Sequence, residues 1–158
     1  MKENSRQRLS LYLYHGARIV IGLVFIYASY DKILHPAAFA KIIYNYQILP
    51  DKLINLTAIL LPWLELVIGC LLLSGVWLPG AVFISNVLLI IFFCILIYNK
   101  ARGLNINCGC FSTSFGSSSY SVFYIARDFI FVIIANYLFI KIFIKPSVLC
   151  KVKKPTNN

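Results

Sequence analysis

The chain has 158 residues, of which 60% are hydrophobic, and its mean hydropathy is +0.81. This apolar content exceeds that of ordinary soluble domains, and the length allows a single domain. The net charge of +10 lies mostly outside the apolar runs, so we assign it to flanks that meet anionic lipid and exclude a nucleic-acid-binding protein.

Four apolar runs are long enough to cross a bilayer, which takes about 20 residues in a helix. They cover residues 11–30, 53–73, 78–98 and 122–144. The first run has no small-residue cleavage site at its end, so we interpret it as a membrane helix and not as a removed signal peptide. The sequence therefore predicts an all-α fold, an integral membrane four-helix bundle over residues 11–144. A basic N-terminus, residues 1–10, precedes it, and a basic tail, residues 145–158, follows it.

A short additional helix is predicted between the first two runs. Pro36 can open it, because the first helical position needs no N–H, and Pro50 marks its end. Apolar side chains then recur at helical spacing, at Phe39, Ile42, Ile43 and Tyr46. We expect an interfacial helix that lies on the membrane or on the bundle.

Basic residues predict how the chain is oriented in the membrane. Four spans put both termini on one side with the turn after residue 73, and eight Lys and Arg near the span ends belong to that side. The opposite side has five: Lys32, Lys41, Lys52, Lys100 and Arg102. The excess predicts cytoplasmic termini in a bacterial inner membrane. The segment between the third and fourth runs then faces the oxidising periplasm.

That segment contains Cys108-Gly109-Cys110, which is the strongest chemical signal in the chain. Two thiols separated by a glycine in a polar loop can meet a partner, and thiol–disulfide exchange requires such access. We interpret Cys108 and Cys110 as the candidate catalytic residues. Cys94, near the outer end of the third run, could relay to this pair, although a lone helix cysteine more often only packs.

Ionisable residues inside the apolar runs form a second candidate group: Arg18, Glu65, Arg127 and Asp128. Each costs about 2.5–3.5 kcal/mol at a helix centre, so such residues usually face protein and have partners. Measured from the outer ends of their helices, Arg18 and Glu65 lie at similar depth, and we expect them to form a buried ion pair. These charges can either bind helices together or handle protons or a quinone.

The sequence identifies no cofactor. His15 and His35 are the only histidines and are far apart, so no metal site is predicted. A site between helices near Glu65 and Arg127 could hold a quinone, but no sequence feature requires one.

Several of these residues, in this order, resemble the MauE family of methylamine-utilisation proteins, within the DoxX-like group of four-span membrane proteins. The resemblance runs from Arg18 to Leu138. It is carried by Arg18 with Gly22, Asp31-Lys32, His35-Pro36, Phe39, Tyr46, Leu49-Pro50, Pro62, Glu65, Gly69, the segment from Asn107 to Phe111, and Arg127-Asp128. The family usually has a glycine where this chain has Ser112.

The resemblance implies a role in forming or maturing disulfides of exported proteins, together with a thioredoxin-like periplasmic partner. The chain would then be a component of a thiol–disulfide oxidoreductase. Two alternatives stay open. One is a non-enzymatic membrane anchor or assembly subunit, in which a bridge between Cys108 and Cys110 only stiffens the loop. The other is a redox subunit linked to quinone. A conduit that carries reducing equivalents across the membrane is less favoured than either, because Cys70 and Cys94, the thiols it would need, differ too much in depth.

Overall fold

The computed structural model describes the backbone of residues 2–102 and 121–144, and the side chains of residues 8–102 and 125–144. The described chain is helical apart from short connections. Its helices are α1 (Lys2–Leu34), α2 (Pro36–Tyr46), α3 (Asp51–Ser74), α4 (Leu78–Ala101) and α5 (Ser121–Phe139), and α5 continues as a π-helical turn, Ile140–Ile144.

Three of these helices, α1, α3 and α4, are long and apolar enough to cross a membrane. They correspond to the first three predicted runs. The fourth run corresponds to α5 and its π-helical continuation, which pack against α4 and α1. The all-helical class is confirmed, whereas the membrane crossing of α5 stays a prediction.

Proline and glycine set several helix boundaries. Pro36 occupies the first position of α2, and Pro79 lies in the first turn of α4, where a missing N–H costs no helical hydrogen bond. Gly75 ends α3 with a φ of 79°, and its N–H donates to the carbonyl of Leu71. A side chain at this position would strain the backbone, so glycine suits the αL conformation that closes the helix.

The helices α1 and α2 pack one after the other along α3. Gly22 of α1 meets Gly69 of α3 so closely that a Cβ added at Gly69 would lie 2.9 Å from the Gly22 carbonyl oxygen. Toward the start of α3, its packing partner is α2 and no longer α1. There α2 buries Phe39 and Ile43 in a cluster with Ile54 and Ala58 of α3. The predicted short helix is therefore confirmed, and its apolar face packs on protein.

The bundle has two ends, the hairpin end and the α2 end. The hairpin end contains the turn between α3 and α4, residues 75–77. The α2 end contains α2, the start of α3 and the end of α4, where Arg102 donates a hydrogen bond to the Tyr46 carbonyl. Large apolar side chains on the outer surface, including Leu60, Trp63 and Val67, are exposed, as expected for helices that face lipid.

Candidate functional site

A buried ion pair joins α1 to α3. The Lys32 Nζ atom lies 2.6 Å from Oε1 and 2.8 Å from Oε2 of Glu65, and both side chains are only 2% exposed. The ammonium also lies 5.0 Å from the ring centre of Phe39 and 5.2 Å from that of Phe92. Lys32 is therefore held by one carboxylate and two aromatic rings, which together compensate for its removal from water.

A second carboxylate lies close to this pair. Asp128 of α5 is 7% exposed, and its Oδ1 atom accepts a hydrogen bond from Arg127 Nη2 at 3.0 Å. It lines the same small cavity as Lys32 and Glu65, with a volume of about 30 Å³. The cluster thus combines two cations and two carboxylates from three helices, so its charges balance when all four groups are ionised.

A larger cavity lies beside the cluster, lined by the end of α1, by α2, α3 and α4, and by the α2–α3 connection. Its volume is about 220 Å³, and Lys32 contributes the one ionisable amine among the described residues that line it. The lining is otherwise mostly apolar and aromatic, and it includes Phe39, Tyr46, Leu61, Ile91 and Phe92. An apolar chamber with a buried ammonium in its wall is suited to an apolar ligand that carries an oxygen acceptor.

Tyr46 of α2 lines the larger cavity and lies close enough to Asp128 of the cluster to feel its charge. Burial raises the pKa of Tyr46 above its ordinary value of 10.0, and the nearby negative charge of Asp128 raises it further. The phenol therefore stays protonated at any physiological pH.

The predicted ion pair between Arg18 and Glu65 is wrong. Glu65 pairs with Lys32, while the Arg18 guanidinium packs against Gly75 at the hairpin end, where a Cβ on Gly75 would lie 3.1 Å from Nη1. Ten residues of α3, about 15 Å, separate Glu65 from Gly75. The prediction assumed that α1 and α3 end at the same level, but α3 extends beyond α1 and packs against α2 there. The positive charge of Arg18 instead lies near the C-terminus of α3, where a cation is favourable.

Sequence reasoning missed Lys32 as a site residue. The predicted orientation counts Lys32 among five basic residues that flank the outer side of the membrane. The structure buries Lys32, so four basic residues remain on that side. The available signal was its position four residues before Pro36, one helical turn from the break between α1 and α2. The orientation of the termini stays a prediction.

The other predicted site residues lie in different places. Cys108 and Cys110 lie outside the described residues, so their role stays a prediction. Cys94 and Cys70 are free thiols with exposed side chains. Neither lines the two cavities described above. Glu65 and Asp128 line the same small cavity and Arg127 pairs with Asp128, whereas Arg18 lies at the hairpin end.

Pro62 lies inside α3, one turn before Glu65, and is buried. Its missing N–H leaves the carbonyl of Ala58 without the usual helical donor. The helix nevertheless continues from Asp51 to Ser74.

A family model and three curated proteins all relate the chain to one family. The family model described as "Methylamine utilisation protein MauE" matches residues 10–141. Methylamine utilization protein MauE of Paracoccus denitrificans is 33% identical over 96 residues, which are 60% of this chain and 51% of that protein. The protein of the same name from Methylophilus methylotrophus is 30% identical over 112 residues, which are 70% of this chain and 59% of that protein.

A third relative, the MauE protein of Methylorubrum extorquens, is 34% identical over 85 residues, 53% of this chain and 46% of that protein. The chain thus spans about half the length of the curated relatives it matches. No solved structure matches it significantly. Because the family model covers most of the chain, including Lys32, Glu65 and Asp128, the protein belongs to the MauE family of methylamine utilisation proteins.

Proposed function

We propose that this membrane protein supports thiol–disulfide exchange in exported proteins, through Cys108 and Cys110 and with a thioredoxin-like partner in the periplasm. The observation that carries the proposal is the Cys-Gly-Cys sequence in the segment between α4 and α5. Exchange needs a thiolate that a partner's disulfide can approach, and a polar segment outside the apolar helices offers that access.

The neighbourhood of this segment supports the proposal. The segment begins after Arg102, whose guanidinium donates to the carbonyl of Tyr46 and to Oε1 of Gln47 at 3.2 Å. The α4 end is thereby fastened to the end of α2. Cys108 follows Arg102 by six residues, which can span at most about 20 Å. The chain length therefore keeps Cys108 within that distance of Arg102, at the α2 end of the bundle.

The relatives are named for methylamine utilisation. We infer that the present chain serves the same process at the stage of protein maturation, by helping an exported protein acquire its disulfides. The substrate of the chain itself would then be a protein thiol or disulfide, and the amine would be the substrate of the matured enzyme.

The experiment compares the wild-type chain with the Cys108→Ser/Cys110→Ser variant in cells. Free thiols of a thioredoxin-like periplasmic partner are trapped by alkylation, and its oxidised and reduced forms are separated by mass. We expect the oxidised fraction to change by at least several-fold in the variant. An unchanged fraction would eliminate the exchange function.

Co-purification of the partner distinguishes the remaining alternative. A membrane anchor or assembly subunit would retain the partner in the serine variant and leave its redox state unaltered. An exchange component would alter the redox state whether or not the partner is retained. An impermeant maleimide applied from outside the cells, after mild reduction, provides the topological control, because Cys108 and Cys110 must be labelled from that side.

A further inference from the structure

We propose that the cavity between α2, α3 and α4 binds the ring of a membrane quinone, the acceptor for electrons released at the thiol pair. This inference rests on the proposed function, which needs an oxidant that can reach the site repeatedly.

The size of the cavity suits one substituted six-membered ring. Benzene enters an apolar protein cavity of about 150 Å³. The cavity here measures about 220 Å³, and its wall includes the rings of Phe39 and Phe92. Planar aromatic groups favour stacked or edge-on contacts with such rings, so a flat ligand gains contacts that a flexible acyl chain does not.

Lys32 supplies the polar feature that a carbonyl ligand requires. An ammonium has three N–H groups, and the two oxygens of Glu65 accept bonds from it at 2.6 Å and 2.8 Å. One N–H group therefore remains beyond those two bonds, on a side chain that lines the cavity. A hydrogen bond from a cation to a carbonyl oxygen is stronger than one between neutral groups, and it would orient the ring.

The cavity has access to the surroundings of the bundle. Ile91 contributes to its wall and is 49% exposed on the surface of α4. Thr57 and Leu61 of α3 line the same cavity and are half-buried. The opening between α3 and α4 would let an isoprenoid tail extend into lipid while the ring lies inside.

The chemistry balances with this acceptor. Two thiols that form one S–S bond release two electrons and two protons, and a quinone that takes up both becomes a hydroquinone. Glu65 and Asp128 line the small cavity next to Lys32, so they can exchange these protons with the ligand site. Tyr46 lines the large cavity, and its carbonyl accepts from Arg102, the last described residue before the thiol segment.

The test measures binding and does not depend on exchange activity. The full chain in lipid nanodiscs is irradiated with a short-chain azidoquinone, and the labelled peptides are identified by mass spectrometry. We expect labels on residues of α2, α3 or α4 that line the large cavity. Competition with an unlabelled short-chain quinone should remove them, and competition with phospholipid should not.

Two adjacent isoleucines provide a matched pair of variants. Ile91→Trp fills the opening, whereas Ile90→Trp adds the same bulk at a site that is 43% exposed and outside the cavity lining. We expect Ile91→Trp to lower labelling at least tenfold and Ile90→Trp to leave it unchanged, with equal melting temperatures. Equal labelling of both variants, labels elsewhere, or displacement by phospholipid would overturn the quinone site.

The Cys108→Ser/Cys110→Ser variant separates this inference from the proposed function. It should bind the azidoquinone as the wild type does, because the proposed ring contacts come from Lys32 and from residues of α2, α3 and α4. Loss of quinone labelling in Ile91→Trp with normal partner oxidation would contradict the quinone's role as acceptor and leave the exchange function standing. Normal labelling without any effect of the cysteines on the partner would eliminate the exchange function, and with it the acceptor role, but would leave the quinone-binding site standing.

Discussion

Lys32 and Glu65 are 33 positions apart in sequence, yet the ammonium of one lies within 2.8 Å of both carboxylate oxygens of the other. Their contact holds the end of α1 against the middle of α3, next to Asp128 of α5. Both side chains are removed from water, so each depends on the other for compensation of its charge. Lys32 lines both cavities and Glu65 lines the smaller one.

Breaking this pair should destabilise the protein strongly. Lys32→Met leaves the Glu65 carboxylate buried without its cation, which should cost about 3–5 kcal/mol of unfolding free energy. The double variant Lys32→Met/Glu65→Leu should recover most of the loss, since it removes both charges. Unfolding of the purified protein in detergent measures the effect. Lys52→Met, at an exposed position, should change stability by less than about 0.5 kcal/mol, and equal losses at Lys32 and Lys52 would refute the energetic role of the pair.

The crossing of α1 and α3 should not tolerate a larger residue at Gly69. Its added Cβ would lie 2.7 Å from Cγ1 of Ile26 and 2.9 Å from the Gly22 carbonyl oxygen, so the backbone must shift. Gly69→Ala should therefore cost about 1–3 kcal/mol. Gly16→Ala is the matched control in α1, because nothing lies within 4 Å of its added Cβ. There the lower entropy cost of alanine should stabilise the helix by up to about 1 kcal/mol, and the two melting temperatures should move in opposite directions.

Tyr46 should make stability fall at alkaline pH. Burial and the charge of Asp128 raise the pKa of Tyr46 in the folded protein above 10.0, its value when exposed. Above pH 10 the unfolded state therefore binds fewer protons at this residue than the folded state, and the unfolding free energy decreases as pH rises. Tyr46→Phe should flatten that slope in unfolding measurements between pH 9 and pH 11 (about two units around the ordinary value).

Tyr44→Phe is the control for the alkaline series, because Tyr44 lies on the same helix and is 58% exposed. Its substitution should leave the slope as in the wild type. A Tyr46→Phe slope that matches the wild type would show that this phenol ionises equally in both states.

Cys94→Ser should leave partner oxidation unchanged. The Cys94 side chain is exposed on α4 and lies outside the walls of the two cavities. A relay to Cys108 and Cys110 would require a thiol directed toward them, so we expect packing or lipid contact as its role. The alkylation assay used for the loop cysteines checks this. A partner whose redox state shifts in Cys94→Ser as it does in the double serine variant would establish the relay.

Local sequence patterns were sufficient for the helices. The apolar runs predicted α1, α3 and α4 to within a few residues at most ends, because a bilayer requires a minimum length of apolar helix. Helical spacing from Phe39 to Tyr46 with Pro36 in front likewise predicted α2. The N-terminus of α1 is the main difference, since the helix begins at Lys2 and thus extends well before the apolar run. Helix formation continues there because the polar residues between Lys2 and Ser10 include no proline or glycine.

The pairing of charges could be decided only by the tertiary structure. Sequence reasoning recognised Glu65, Arg127 and Asp128 as membrane charges that need partners, but depth along a helix depends on where its neighbour ends. The break at His35 lets α2 continue along α3, which shifts α3 relative to α1 and brings Lys32 rather than Arg18 to Glu65. Composition thus determined that these helices enter a membrane, and the packing of one helix against another determined which ions meet inside it.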